Sequence, residues 1–409
     1  MKRKRTAEKG KPAYAHFGLK RDPFSTLALQ PFEMEFFAGR RALIERLVAD
    51  LHSLSNTGLA GEPGMGKSSL LNLLREKAGR GVAVVSIGVP LDDANYLLVE
   101  LLGALMEALP RSGGLDRRAV NRRMREGVLD KATLLRLVRT LLARSRKPVA
   151  VLVDDIEKIR GDRIRHLTRS DRTLQFLEEL KVLFESRNAC FFVTLQEEFF
   201  SKVTQVVKEG AEPTVLGLFR NIVKVDRFPI PELREVLATR LKAAGHPGGI
   251  EAVVEDEGMR LALGLSDGNP RRFLYLMSEG MARAALRRAS RIGFEDVFGA
   301  LNEHLKLDRV CMKLMFFLSK SGRATAANVD LQAFMELDAV SLSRRFEVLA
   351  KNRLVSAVDV VEGSRVYALP GLEGSIEHPS ASGKDAGKTQ SAVGLSQKGE
   401  KMYLLDEEN

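Results

Sequence analysis

The chain has 409 residues, of which 44% are hydrophobic, and its 64 lysines and arginines outnumber 53 acidic residues, giving a formal charge of +11. This length suits two or three domains rather than one core. The absence of tryptophan argues against base stacking as the main binding device, and two cysteines are too few for a disulfide framework. The positive charge favours a polyanionic partner, with an inert basic surface as the alternative.

The chain begins with a charged arm and continues with alternating strands and helices. The charged residues 1–15 indicate a disordered basic arm, and no apolar stretch follows them as in a signal peptide. No apolar run is long enough to span a membrane. We therefore expect a cytoplasmic protein. Across residues 16–228, apolar strands alternate with helical patterns, which predicts an α/β fold with a parallel sheet. The expected strands are 57–60, 82–87, 149–153, 189–195 and 222–227.

The second half of the chain has a different pattern. Residues 229–305 lack strand signals and carry four helical patterns, which predicts a helical domain. Residues 306–371 hold three helical patterns followed by two short alternating segments, 354–361 and 365–369, joined by a turn. This is the element order of a winged helix. Residues 372–409 are rich in Ser, Gly and Lys and predict a disordered tail.

A glycine-rich run between the first strand and the next helix fits the pattern G-x-x-x-x-G-K-[ST]. Glycines let backbone N–H groups turn towards phosphate oxygens, and the following helix adds the positive end of its dipole. Lys67 is expected to reach the β- and γ-phosphates of ATP, and the Ser68 hydroxyl to bind Mg²⁺. The expected nucleotide-binding residues are Gly61, Glu62, Pro63, Gly64, Met65, Gly66, Lys67, Ser68 and Ser69.

Two carboxylates, Asp154 and Asp155, follow a buried apolar strand. They are expected at the carboxyl edge of the sheet, where ligands bind in open α/β folds. Asp154 would hold Mg²⁺ through water, and Asp155 would orient or deprotonate the attacking water. Glu157 is the second candidate for this base. A solvated Asp-Asp turn is the alternative interpretation of the pair.

The order of phosphate loop, Asp-Asp strand, helical lid and winged helix resembles AAA+ ATPases of the origin-recognition and helicase-loader type. Further matching runs are Phe37–Arg40, Phe228–Leu241 and Gly268–Arg271, so that the resemblance covers about residues 35 to 370. It implies a P-loop AAA+ core with a helical lid domain and a C-terminal winged-helix domain. The opening run Phe17–Phe24 is also similar to bacterial ATPases of secretion and transposition.

The resemblance implies roles for three more residues and a mode of action. Thr194 lies where the family has its sensor-1 residue, and Arg271 where sensor 2 reaches the γ-phosphate from the lid. Arg220 matches the arginine finger that acts on a neighbouring subunit's nucleotide, which implies a homo-oligomer in ATP. Many relatives have glutamate where Asp155 stands, so the shorter side chain implies slow, switch-like hydrolysis. An ordinary surface residue is the alternative for each of the three.

Two basic clusters are candidates for contacts with double-stranded DNA. Residues 111–147 contain twelve lysines or arginines against three acidic residues, and we single out Arg122 and Arg123. The second cluster opens the third helix of the expected winged helix. It comprises Ser343, Arg344 and Arg345, both arginines facing outward towards a groove, with Arg365 on the wing. A solvated helix face and a winged helix used for protein contacts are the alternatives.

Two functions are compatible with these features. The first is an oligomerising, ATP-switched, DNA-binding ATPase that uses Mg²⁺ and serves replication initiation, helicase loading or transposition. The second is a nucleotide-switched signalling or defence ATPase that works through protein partners without DNA. A protein partner is expected in both cases. A secretion-associated ATPase is a weaker third hypothesis, because we expect no membrane segment.

Overall fold

The computed structural model describes residues 12–88, 94–109, 116–154, 177, 181–198, 201, 218–361 and 363–372. All of them belong to one compact unit that spans Met1–Ser375. Most of the expected basic arm and the tail from residue 373 onward lie outside the described residues. Residues 13–15, which the sequence assigned to the arm, belong to a short helix, α1 (Ala13–His16).

The core holds a five-stranded parallel sheet, as the alternation of strands and helices predicts. Its strands have the order β2-β3-β4-β1-β5. The three central strands, β3, β4 and β1, are buried along most of their length because helices cover both faces of the sheet. The last strand ends three residues earlier than predicted. The strands are β1 (Thr57–Ala60), β2 (Ala83–Gly88), β3 (Val149–Asp154), β4 (Ala189–Leu195) and β5 (Asn221–Lys224).

Helices cover both faces of this sheet. On one face, leucines of α2 and α3 pack against Leu59, Leu152 and Phe192. On the other, leucines and valines of α4 and α6 pack against Val151 and Val193. The core helices are α2 (Arg41–His52), α3 (Lys67–Lys77), α4 (Ala94–Ala108), α5 (Arg117–Arg125) and α6 (Lys131–Ala143).

Residues 230–305, called here the lid, contain four helices. The second of the four helical patterns, over residues 250–263, predicts one helix, but the structure has a 3₁₀ turn, Ile250–Ala252, followed by a helix that begins at Asp256. An isolated pairing between Val254 and Ile292 separates the two pieces. The lid helices are α7 (Ile230–Ala243), α8 (Asp256–Ser266), α9 (Pro270–Leu286) and α10 (Phe294–Leu305).

The segment Phe17–Leu29, called here the entry segment, packs with the lid. Phe17, Leu19 and Phe24 belong to the same apolar cluster as Leu237 and Phe273 of the lid helices. A 3₁₀ turn, Pro31–Phe36, follows it. The sequence assigned this segment to the α/β core, because sequence order does not reveal which of two apolar clusters a short segment joins.

The C-terminal module, residues 309–372, contains three helices and a three-stranded antiparallel sheet of order β6-β8-β7. Strand β6 was not predicted, since three residues are too few to show alternation. Phe346 stacks on Tyr367 at 4.4 Å between ring centroids and joins helix to sheet. The elements are α11 (Arg309–Ser321), β6 (Arg323–Thr325), α12 (Val329–Met335), α13 (Ala339–Lys351), β7 (Ser356–Val361), β8 (Ser364–Ala368) and a 3₁₀ turn, Pro370–Leu372.

Candidate functional site

The glycine-rich loop connects β1 to the N-terminus of α3 at the carboxyl edge of the sheet. Gly64 and Gly66 have φ of 88° and 84°, a left-handed conformation that side chains disfavour. Gly66 directly precedes α3, so the first N–H groups of the helix face the loop. This is the geometry expected for a phosphate cradle.

Lys67 is 8% exposed and lies inside the loop that it follows. Its Nζ donates hydrogen bonds to the carbonyl oxygens of Gly61, at 2.5 Å, and Glu62, at 3.1 Å. The ammonium group is therefore held within the curve of the loop, where a phosphate oxygen would meet a desolvated positive charge.

A cavity of about 520 Å³ opens at this loop, and the core, the entry segment and the lid all line it. Such a volume is typical of small-molecule sites. The lining of the cavity combines several predicted residues with others that the sequence did not indicate. Lining residues from the predictions are Pro63, Gly64, Gly66, Lys67, Ser68, Ser69, Asp154 and Arg271.

Asp154 ends β3, and Thr194 lies on the adjacent strand β4. The buried Thr194 Oγ1 donates to Asp154 Oδ1 at 2.9 Å, which fixes the carboxylate beside the loop. Asp154 and Ser68 line the same cavity. Hydroxyl and carboxylate oxygens are ligands that suit Mg²⁺, so these residues fit the ion. Asp155 and Glu157 lie outside the described residues.

The lid contacts the phosphate loop directly through Asn269, a contact that the sequence did not predict. Asn269 Nδ2 donates to the carbonyl oxygen of Pro63 at 3.0 Å. Its Oδ1 accepts from the backbone N–H groups of Arg271 and Arg272 and so caps α9. One side chain therefore links the loop to the helix that carries Arg271.

Arg227, at the junction of core and lid, adds a second link. Its guanidinium donates to Glu62 in the loop, with 2.8 Å between Nη2 and Oε1, and it also pairs with Asp267 in the lid. The hydrogen bond to Glu62 is the main cause of a raised Arg227 pKa. Sequence reasoning missed this cluster because Glu62 and Arg227 are 165 positions apart.

Replacing Gly64 by alanine is expected to weaken ATP binding at least tenfold, or about 1.4 kcal/mol. A Cβ at Gly64 would lie 2.8 Å from Asn269 Oδ1 and 2.9 Å from Arg271 Cβ, so the lid would have to move off the loop. Titration with fluorescent ATP measures the effect. The control is Gly79→Ala, because Gly79 also has positive φ but no neighbour within 4 Å. Equal losses of ATP affinity in both variants would show that the contact between lid and loop does not support nucleotide binding.

The entry segment is fixed to both walls of the cavity. Arg240 of the lid is 6% exposed, and its Nη1 donates to the carbonyl oxygens of Pro23, at 3.1 Å, and Ser25, at 3.0 Å. Burial lowers the pKa of Arg240 to about 10. On the loop side, Leu29 N–H donates to Ser69 Oγ at 3.1 Å. Ser69, predicted as a nucleotide ligand, thus also holds the entry segment.

Arg220 lies at the other edge of the sheet from the phosphate loop. It precedes β5, whose first residue, Asn221, pairs with Thr57 at the start of β1, whereas the loop follows the end of β1. Its Nη1 donates to Ser55 Oγ at 3.3 Å, and its side chain is exposed. At this position Arg220 is separated from its own nucleotide cavity by the length of the sheet.

Arg122 and Arg123 lie on the exposed face of α5, a helix that the sequence analysis did not assign. Val120 and Met124, on its opposite face, pack against the core. Asp116 caps the helix by accepting from two backbone N–H groups. A short helix is therefore anchored by an apolar face and displays arginines to solvent.

The second basic cluster differs from its prediction. Arg344 is exposed on α13, as expected, but Arg345 is half-buried and forms an ion pair with Asp308. The sequence could not show this pair, because Asp308 precedes a different helix. Ser343 and Arg365 line one groove, together with the acidic Glu347.

The fold and the site together define an AAA+-type P-loop ATPase, as the resemblance to the origin-recognition type predicts. The model of the family Novel STAND NTPase 1 matches residues 23–257, more than half of the sequence. The chain belongs to this family. No curated protein matches the sequence.

Several solved structures are similar to this chain at low identity. Cdc6p from Pyrobaculum aerophilum is 16% identical, with 82% of this chain and 92% of that chain covered and a TM-score of 0.48. ORC2 from Aeropyrum pernix is 14% identical, covers 86% and 94%, and has a TM-score of 0.46. The RuvB Holliday junction branch migration motor of Thermotoga maritima is 15% identical, covers 81% and 92%, and has a TM-score of 0.37.

Within the part of the chain that the structure describes, no helix is long and apolar enough to cross a membrane.

Proposed function

We propose that this chain is an ATP-switched, oligomerising ATPase that binds double-stranded DNA. ATP and Mg²⁺ occupy the cavity beside the phosphate loop, with Lys67 at the phosphates and Ser68 and Asp154 at the ion. Asp155 orients or deprotonates the attacking water, and Arg271 contacts the γ-phosphate from the lid. Arg220 of a neighbouring copy completes the site, and its exposed position at the far edge of the sheet supports this role.

The observation that carries the DNA proposal is the exposed arginine face of α5. Arg118, Arg122, Arg123 and Arg125 are all exposed, and α5 itself contains no acidic residue. Two of its apolar side chains anchor the helix, so its arginines are presented together rather than scattered. Such a charged helix face neutralises backbone phosphates independently of sequence.

We further propose that the C-terminal module is a winged helix. Three helices followed by the antiparallel pair β7 and β8 support this assignment. Arg344 on α13 and Arg365 on β8 would then meet DNA, because both are exposed. Arg345 is a weaker candidate for DNA contact than Arg344, because Asp308 already neutralises its charge.

A second candidate function, a nucleotide-switched ATPase that acts through a protein partner, is favoured by a specific feature of this module. Several exposed side chains on α13 and β7 are apolar rather than basic. Apolar surface of this kind suits contact with protein better than contact with phosphates. The residues are Val340, Val348, Val358, Val360 and Val361.

The triple change Arg118→Ala, Arg122→Ala, Arg125→Ala is expected to weaken duplex binding at least tenfold. Each lost phosphate contact also lowers the slope of log K against log salt by about one. Fluorescence anisotropy of a labelled duplex over a series of salt concentrations measures both quantities. ATP binding should not change, because α5 does not line the nucleotide cavity.

The control removes three exposed arginines elsewhere, Arg260, Arg291 and Arg323, and so changes the net charge equally. If both triple variants lose affinity for the duplex equally, the loss reflects the lower net charge, and α5 is not the DNA-binding element. Wild-type protein that binds no duplex in any nucleotide state would favour the protein-partner function.

A further inference from the structure

A second cavity, of about 830 Å³, lies between the phosphate loop, the lid and the C-terminal module. All three contribute to its wall. Its volume falls within the range of ligand sites. Pro63 and Arg271 line both this cavity and the nucleotide cavity, so the two are neighbours that share a wall.

Charge in the second cavity is unbalanced. Its lining includes four arginines, Arg227, Arg271, Arg272 and Arg353, and two carboxylates, Glu62 and Asp267. Arg227 pairs with both carboxylates. Among the described residues, the side chains of the other three arginines have no ion-pair partner. Three guanidinium groups therefore remain available to an anionic ligand.

Arg353 supplies one of these guanidinium groups from the C-terminal module. Arg353 has φ of 57°, the left-handed region in which glycine is favoured after a helix. It follows α13, and its N–H donates to the carbonyl oxygen of Ala350 at 2.9 Å. Its side chain adds a positive charge to the lining of the cavity.

We propose that the second cavity binds a compact ligand with at least two phosphate groups, and that this ligand draws Arg271 away from the nucleotide. Guanidinium groups bind phosphate oxygens bidentately, so Arg272 and Arg353 would hold the ligand from the lid and the C-terminal module. Arg271 lies on the shared wall and can serve one site at a time. The ligand slows hydrolysis because the γ-phosphate loses a stabilising charge.

Binding of the ligand does not depend on the proposed ATPase mechanism, whereas the slowing of hydrolysis rests on the role proposed there for Arg271. The two parts are therefore tested separately. Pyrophosphate serves as the probe, and the full chain is first saturated with ADP so that the phosphate loop is already filled.

Isothermal titration of pyrophosphate into this ADP complex is expected to show one binding site in the wild type. The double change Arg272→Ala, Arg353→Ala should raise its Kd at least tenfold. The control Arg260→Ala, Arg323→Ala removes the same charge outside the cavity and should leave the Kd unchanged. Both arginines of the site are exposed, so the variants should fold normally. An unaltered ADP affinity would show that they do. No binding to wild type, or equal loss in both double variants, would overturn the site.

A competition arm distinguishes a compact ligand from DNA. A short duplex that displaces pyrophosphate from the wild type, and that itself binds the double variant at least tenfold more weakly, would assign the cavity to DNA and overturn the proposal. In the kinetic arm, saturating pyrophosphate at fixed free Mg²⁺ should lower the kcat of ATP hydrolysis at least fivefold in the wild type. It should have little effect on the double variant. Binding without any change in kcat would overturn the coupling through Arg271.

Discussion

Lys67→Ala is expected to weaken ATP binding at least a hundredfold, to below detection in a fluorescent-nucleotide titration. The Lys67 ammonium is buried inside the loop and is directed at the two loop carbonyl groups. A charge so poorly hydrated interacts strongly with phosphate, and its removal takes away the counter-charge that the loop itself supplies. Lys67→Met should give the same loss while keeping the aliphatic stem, which separates charge from packing.

Lys77→Ala is the matched control, because Lys77 is exposed at the far end of the same helix. It should bind ATP like the wild type. If Lys67→Ala and Lys67→Met also bind like the wild type, the phosphate-loop assignment fails, whatever else the protein does.

Arg220→Ala is expected to lower ATP hydrolysis about a thousandfold, the lower end of the effect of an arginine finger, with ATP affinity unchanged. Arg220 lies at the edge of the sheet away from its own phosphate loop, so in the proposed oligomer it would act on the nucleotide of another copy. Mixing Arg220→Ala with Lys67→Ala should restore part of the activity. Each variant then supplies the group that the other lacks at one shared interface.

Arg46→Ala is the control for this mixture, since Arg46 is exposed and donates to Asn221, the residue next to Arg220. Its hydrolysis should stay within a few-fold of the wild type. Absence of restoration, together with a monomer in ATP by sedimentation, would contradict the trans-acting role of Arg220.

The sequence predicted the α/β core well because both of its signals are local. A continuous apolar run such as Val149–Val153 can be satisfied only in a strand that is covered on both faces. The glycines and Lys67 form a contiguous motif whose spacing fixes its geometry. The α/β fold class and the nucleotide-binding loop followed from these two features, and the five parallel strands and the match to Novel STAND NTPase 1 confirm the class.

What the sequence missed consists of contacts between distant segments. Glu62 and Arg227 are 165 positions apart, and Asn269 and Pro63 are 206 apart. Neither pair has a local pattern, because a salt bridge or a single hydrogen bond imposes no periodicity. The same holds for Arg345: helical spacing predicted its outward direction, but Asp308, from another segment, takes up its charge.

Helix α5 presents an ordered arginine face that the sequence alone does not reveal. In the sequence, residues 111–147 are simply a basic stretch. In the structure, Val120 and Met124 fix one helix face to the core and leave the arginines of the other face in solvent. For the proposed DNA binding, this ordered display favours α5 over the C-terminal module as the principal contact, since the exposed surface of the module carries several valines.

The most direct test of the central claim is duplex binding by the full chain in three nucleotide states. Anisotropy titrations are run with a non-hydrolysable ATP analogue, with ADP and without nucleotide, at one salt concentration because affinity depends on salt. We predict binding at least tenfold tighter with the ATP analogue than with ADP, and loss of that difference in Lys67→Ala. Equal affinity in all three states, or no binding in any of them, would contradict an ATP-switched DNA-binding ATPase.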